Sequence, residues 1–96
     1  MKDDKGWTNM NITDVILEHL APNLTRIKVG ETIIYFSYSQ PVVIQRRRMA
    51  YLRKTWDGRQ WSSTTLHHLS AITKFHLPAG ITLRRIKEEE FLKMRL

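Results

Sequence analysis

The sequence predicts an α+β class, single-domain protein: an antiparallel four-stranded β-meander with flanking α-helices over residues 11–96, behind a flexible N-terminal arm of residues 1–10. Three observations lead there. Hydrophobic spacing changes from a helical repeat before Ala21 to alternation after Leu24, then back to helical spacing after Ser62. Two turn dipeptides, Gly30-Glu31 and Asp57-Gly58, punctuate the alternating region. A chain of 96 residues with 42% hydrophobic content has room for one modest core and is too apolar for a disordered segment.

Residues 1–10 lack an apolar pattern, so an arm is expected, with Trp7 able to dock on the body. Asn11 or Thr13 caps a short helix to about Leu20, because Ile12, Ile16 and Leu20 share one helical face. Ala21-Pro22-Asn23 stops it. Ile27 and Val29 then alternate with Arg26 and Lys28, as in a strand with one wet face. Gly30 supplies the glycine that a type II′ turn needs first. The run from Thr32 to Tyr38 is apolar on both faces and suits a central strand. Val42-Val43-Ile44 begins the next strand and is a candidate edge for pairing with a second copy, a possible homodimer. Arg46-Arg47-Arg48 is either a tight exposed corner or the solvent side of a strand continuing to Leu52. Asp57-Gly58 reads as a hairpin tip. Ser62, Ser63 and Thr64 offer helix caps, with Leu66, Leu69, Ile72 and Phe75 as the inner face of the helix and Pro78 and Gly80 ending it. A short strand from Ile81 to Leu83 precedes a last helix from about Lys87, where Glu88, Glu89 and Glu90 sit at the favourable end of the helix dipole and Phe91 and Met94 face inward.

Charge narrows the function. The chain carries 16 bases against 9 acids, a net +7. The first thirty residues balance, so the excess lies in the remainder and points to a basic face rather than a detachable tail. A solubilising surface is the alternative, since about 2–8 net charges are ordinary in a small domain. The densest stretch combines Arg46, Arg47, Arg48, Arg53, Lys54 and Arg59 with Tyr51, Trp56 and Trp61. Guanidinium groups pair with phosphate oxygens and flat rings stack on bases, so nucleic acid, DNA first, is the partner class this stretch suits. The candidate contacts are Arg46, Arg47, Arg48, Tyr51, Arg53, Lys54, Trp56 and Arg59. Trp61, next to a capped helix, reads as core.

Other chemistry is not indicated. Without cysteine neither a disulfide framework nor a thiolate metal site forms. His67 and His68 are neighbours, whereas metal-binding helices space histidines at i and i+4; either is a candidate phosphate contact or sheet support. No nucleophile elbow, phosphate loop or carboxylate pair occurs, so a non-catalytic protein without cofactor or metal is expected. No apolar run reaches membrane-spanning length and the first ten residues lack a signal-peptide core. The expected location is the cytoplasm.

Ile33-Ile34-Tyr35-Phe36-Ser37-Tyr38 with Pro41-Val42-Val43, followed by Trp61-Ser62-Ser63-Thr64-Thr65-Leu66-His67-His68-Leu69, resembles a small domain encoded by bacteriophages and plasmids. That family carries the forms I-x-Y-F-S-Y-x-x-P-V and W-S-x-T-T-x-x-H-L and has no assigned biochemical function. The likeness spans roughly residues 24–75, with an echo at Glu89-Glu90-Phe91. It implies one compact domain of mobile-element origin, with Thr64, Thr65 and His68 as a shared helix start. The basic stretch from Arg46 to Gln60 departs from the pattern. The expectation is a small basic nucleic-acid-binding accessory protein of a phage, virus or plasmid, working in the host cytoplasm. The alternative is a protein-binding inhibitor of a host defence or transcription enzyme, with arginine and tryptophan as interface anchors.

Overall fold

A computed structural model of the chain describes residues 15–54 and 61–94. Strands β1 (Val15–Ala21), β2 (Leu24–Val29), β3 (Thr32–Ser37), β4 (Gln40–Arg46) and β5 (Met49–Arg53) follow one another with two residues between each pair. Connections that short join antiparallel neighbours, and all four pairs are antiparallel. Helix α1 (Ser63–Ala71) runs into a π-helical segment, Ile72–His76, and is followed by β6 (Thr82–Ile86) and α2 (Glu88–Lys93). β6 pairs with β5 in parallel, which the long helical crossover permits. The domain is α+β, built on a six-stranded mixed sheet in the order β1 to β6.

The predicted four-stranded meander is therefore too small at both ends. Ile16 and Leu20 fit a helical repeat, yet the described part of the predicted first helix is the strand β1. Val15 and Ile16 are β-branched, and Glu18 faces Arg26 and Lys28 of β2 at 2.7 and 3.4 Å, a cross-strand pairing that helical spacing does not reveal. At the other end, the short strand predicted at Ile81–Leu83 extends to Ile86 and joins the sheet. The proposed edge at Val42–Ile44 is overturned too. β4 lies between β3 and β5, and Val42 and Val43 are fully buried.

The four turns are unequal in chemistry. Gly30 has φ 59°, as the type II′ reading requires. Pro22-Asn23 places Asn at φ 61° after a proline, an ordinary type II arrangement. Tyr38 and Arg47, however, take φ 58° and 54°, the left-handed region that costs a side chain about 1–2 kcal/mol. The arginine triplet is thus a tight corner, with Arg47-Arg48 as its two-residue loop. The predicted hairpin tip at Asp57-Gly58 lies outside the described residues.

The main core fills one face of the sheet, where Leu24, Tyr35, Val43, Ala50 and Leu52 pack with Ile72. A register shift after Tyr35 pairs Phe36 with Pro41 and leaves Val42 as the extra residue, so Val42 and Val43 are both buried. Trp61 and Leu69 pack at the margin, as expected for Trp61. Leu66 and Phe75 do not turn inward; they are 48% and 77% exposed. The bond from the Leu77 N–H to the Ile72 carbonyl belongs to a π turn, which rotates later residues off the 3.6-residue stripe. Phe91 of α2 is buried but stands outside the main core cluster. α2 packs on β5, and alternation along β5 assigns its partner Arg53 to the second face.

Candidate nucleic-acid interface

The residues proposed from sequence separate into three groups. Arg46, Arg47 and Arg48 stand at the β4–β5 turn. Arg47 and Arg48 are exposed, whereas Arg46 is half-buried, with Nη2 enclosed and without a partner among the described residues. Arg47 lies 3.5 Å from Glu31 on the neighbouring turn, both side chains more than 80% exposed; such a pair holds little charge back from a ligand. The Arg48 carbonyl accepts from the Thr82 N–H at 2.7 Å, which anchors this turn to the start of β6.

Arg53 is engaged inside the fold. Its guanidinium donates to Glu88 through Nε (3.0 Å) and Nη2 and to the Pro41 carbonyl through Nη1 (3.1 Å). It also sits 5.4 Å from the Trp61 ring centroid, and its side chain is 10% exposed. Three of its five N–H groups are engaged in this way, so it ties α2 and β4 to β5. Trp56 and Arg59 lie outside the described residues. Lys54, one position past the end of β5, is exposed.

Tyr51 is half-buried on the second face, the same face as Arg46 by alternation. In the parallel pairing it stands opposite Arg84, and Leu52 stands opposite Arg85. Both arginines are exposed. Arg84 thus joins Tyr51 and Arg46 on the second face, and Arg85 points to the helix side. These are the basic residues that the sequence reading missed. Their signal was present: the last third of the chain carries six bases against three acids, but nothing local announces that Arg84-Arg85 returns beside Tyr51. Among the described residues, no acid lies within ion-pairing distance of Arg48, Lys54, Arg84 or Arg85. On the helix side of the sheet, where Leu52 and Arg85 lie, a cleft of about 560 Å³ opens between α1 and the β5–β6 pair.

The motif residues do something else. Ser62 caps α1, accepting from the Thr65 N–H at 3.2 Å. The Ser37 Oγ lies 3.0 Å from Thr65 Oγ1 and 2.7 Å from His68 Nδ1, and His68 Nε2 lies 3.2 Å from the Pro22 carbonyl. A carbonyl only accepts, so Nε2 carries the proton there. In the neutral ring Nδ1 then accepts from Ser37, which accepts from Thr65, which accepts from Ser62. This directed chain clamps α1 to β3 and to the β1–β2 turn. Ser37, Thr65 and His68 are all buried. His68 therefore supports the sheet, while His67 is exposed.

A model of a family of unknown function, DUF8033, matches residues 4–89. The chain belongs to this family. A search of curated proteins and a search of solved structures each return no match. In this DUF8033 domain the two recognisable sequence pieces meet at the Ser37–Thr65–His68 clamp, together with Tyr35, Val42 and Trp61 of the core and its margin. They specify the scaffold. The basic turn and β6 lie apart from them.

A second group of ionisable residues bridges β1–β3 to the π segment. Arg26 lies 6.0 Å from the Tyr35 ring centroid, and the Tyr35 hydroxyl lies 3.4 Å from the His76 carbonyl and 3.5 Å from Gln45 Oε1. Burial pushes the Tyr35 hydroxyl above its usual range, with Arg26 pulling the other way. Burial also holds His76 below the ordinary imidazole value, aided by Arg26. The hydrogen bond from Arg26 holds the Glu18 carboxyl below the usual carboxylate range.

Proposed function

We propose that this DUF8033 member binds nucleic acid, DNA first, by electrostatic docking without bond chemistry. Arg47, Arg48 and Arg84 grip the backbone, with Arg46 and Tyr51 on the same face, while Lys54 and Arg85 carry positive charge around the β6 edge to the helix side. The observation that carries the reading is Arg47. A turn position that glycine fills at no steric cost is occupied by an arginine at φ 54°, exposed and, among the described residues, held only by a surface acid. Strain retained where the fold gains nothing points to a use for the side chain. Arg84 of β6, on the face of Tyr51 and Arg46 and with no acid within ion-pairing distance among the described residues, extends the basic surface beyond the turn.

The resemblance to phage- and plasmid-borne domains supports an accessory role in a mobile element, acting in the host cytoplasm. Replacing Arg46, Arg47 and Arg48 together with alanine tests the assignment by fluorescence anisotropy on labelled DNA across a salt series. Loss of two to three phosphate contacts is expected to flatten the log–log salt slope by about 2–3 units. An unchanged slope in the triple variant would remove the turn from the interface.

A further inference from the structure

We propose that the cleft between α1 and the β5–β6 pair seats one unpaired nucleoside phosphate unit, its base inside and its phosphate on Lys54 and Arg85. The inference rests on the nucleic-acid reading above and adds to it a site with a stated occupant. The cleft holds about 560 Å³, within the roughly 300–1,000 Å³ of ligand pockets. Leu52 and Leu69 supply apolar lining and Trp61 an aromatic wall. Leu66, also lining it, is 48% exposed, an apolar side chain that the fold itself leaves uncovered.

Charge selects the occupant. Lys54 and Arg85 reach the same cleft from the ends of adjacent strands, and among the described residues neither has an acid within ion-pairing distance. Arg53 also borders the cleft, but Glu88 neutralises it. A purely apolar guest leaves two cations unanswered, and a bare anion leaves the apolar lining in water. A flat base carrying a phosphate satisfies both, and stacking on aromatic walls does not depend on base identity. A duplex offers no free base, so the occupant is a single-stranded end or a free nucleotide.

The test compares a thymidylate 12-mer with an abasic oligomer of equal phosphate count by anisotropy, using the full chain. The wild type is expected to prefer the base-bearing strand by about 5- to 160-fold, the range of one stacked base. Leu66→Glu, a change at a half-exposed helix position, is expected to abolish that preference with the melting temperature retained. Arg85→Ala, at an exposed strand position, is expected to reduce it. Competition by thymidine monophosphate identifies the free nucleotide as a guest; binding of the oligomer without such competition identifies the strand. Equal binding of both oligomers by the wild type, or a preference that survives in Leu66→Glu, overturns the pocket and leaves surface binding standing. Failure of both oligomers to bind overturns the surface reading and the pocket together.

Discussion

Replacing Arg47 with glycine is expected to raise stability while weakening nucleic-acid binding. A side chain at φ 54° costs roughly 1–2 kcal/mol in the left-handed region. Glycine returns roughly 0.5–1 kcal/mol of this through the greater freedom of its unfolded chain. The net gain is about 0–1.5 kcal/mol. The contact with Glu31 subtracts little, since at 3.5 Å with both groups more than 80% exposed it lies at the low end of the roughly 0–1 kcal/mol range of surface pairs. Loss of one phosphate contact should flatten the log–log salt slope by about 0.9. Urea unfolding and DNA anisotropy on the same preparation read both effects. A fall in stability would refute the strained-turn argument. Greater stability with an unchanged salt slope would refute the claim that the strain is kept for a ligand.

Three further outcomes follow from the scaffold. Arg53→Ala or Glu88→Ala is expected to cost about 3–5 kcal/mol, because each leaves a largely buried charge unpaired; a double-mutant cycle in urea checks it, and an Arg53→Ala protein of full stability that loses DNA binding would return Arg53 to the interface. Ser37→Ala interrupts the chain between Thr65 and His68 and should cost about 1–3 kcal/mol, measured by thermal melting; a neutral result would deny the clamp. Stability should also depend on pH at both extremes. His76 binds its proton more weakly folded than unfolded, so its contribution is complete above the ordinary value of 6.5 and is lost as pH falls through the depressed folded value. Tyr35 is the reverse case: its folded value is raised, so stability declines as pH climbs above 10.0. Denaturation midpoints across pH for wild type and His76→Gln separate the acid limb; superimposable profiles between pH 5 and 7 would contradict the His76 assignment.

Much of the fold could be read locally. Gly30 announced its turn, Ser62 its cap, and the double-sided apolar run from Thr32 its central strand, because each depends on neighbours in the chain. The parts that could not be read depend on distant partners. β1 is a strand because β2 is there to pair with it, and Ile16 and Leu20 carry no mark of that. Tyr38 and Arg47 are not residue types that favour the left-handed region, so their positive φ emerges only from the pairing of the flanking strands. Phe75 follows helical spacing in sequence, yet the π segment rotates it into solvent. The site divides in the same way. The Arg46–Arg48 cluster was evident as charge, but the partner that withdraws Arg53 lies 35 residues away. Arg84 and Arg85 become part of the surface only through a parallel pairing that no local pattern encodes.

Binding of labelled single-stranded and duplex DNA by the unmodified protein, followed by anisotropy from about 50 mM salt upward, bears most directly on the central claim. Three to five phosphate contacts predict a log–log slope of about −3 to −4.5. Affinity that is absent at about 50 mM salt, where exposed charges are least screened, or that is independent of salt, would contradict it.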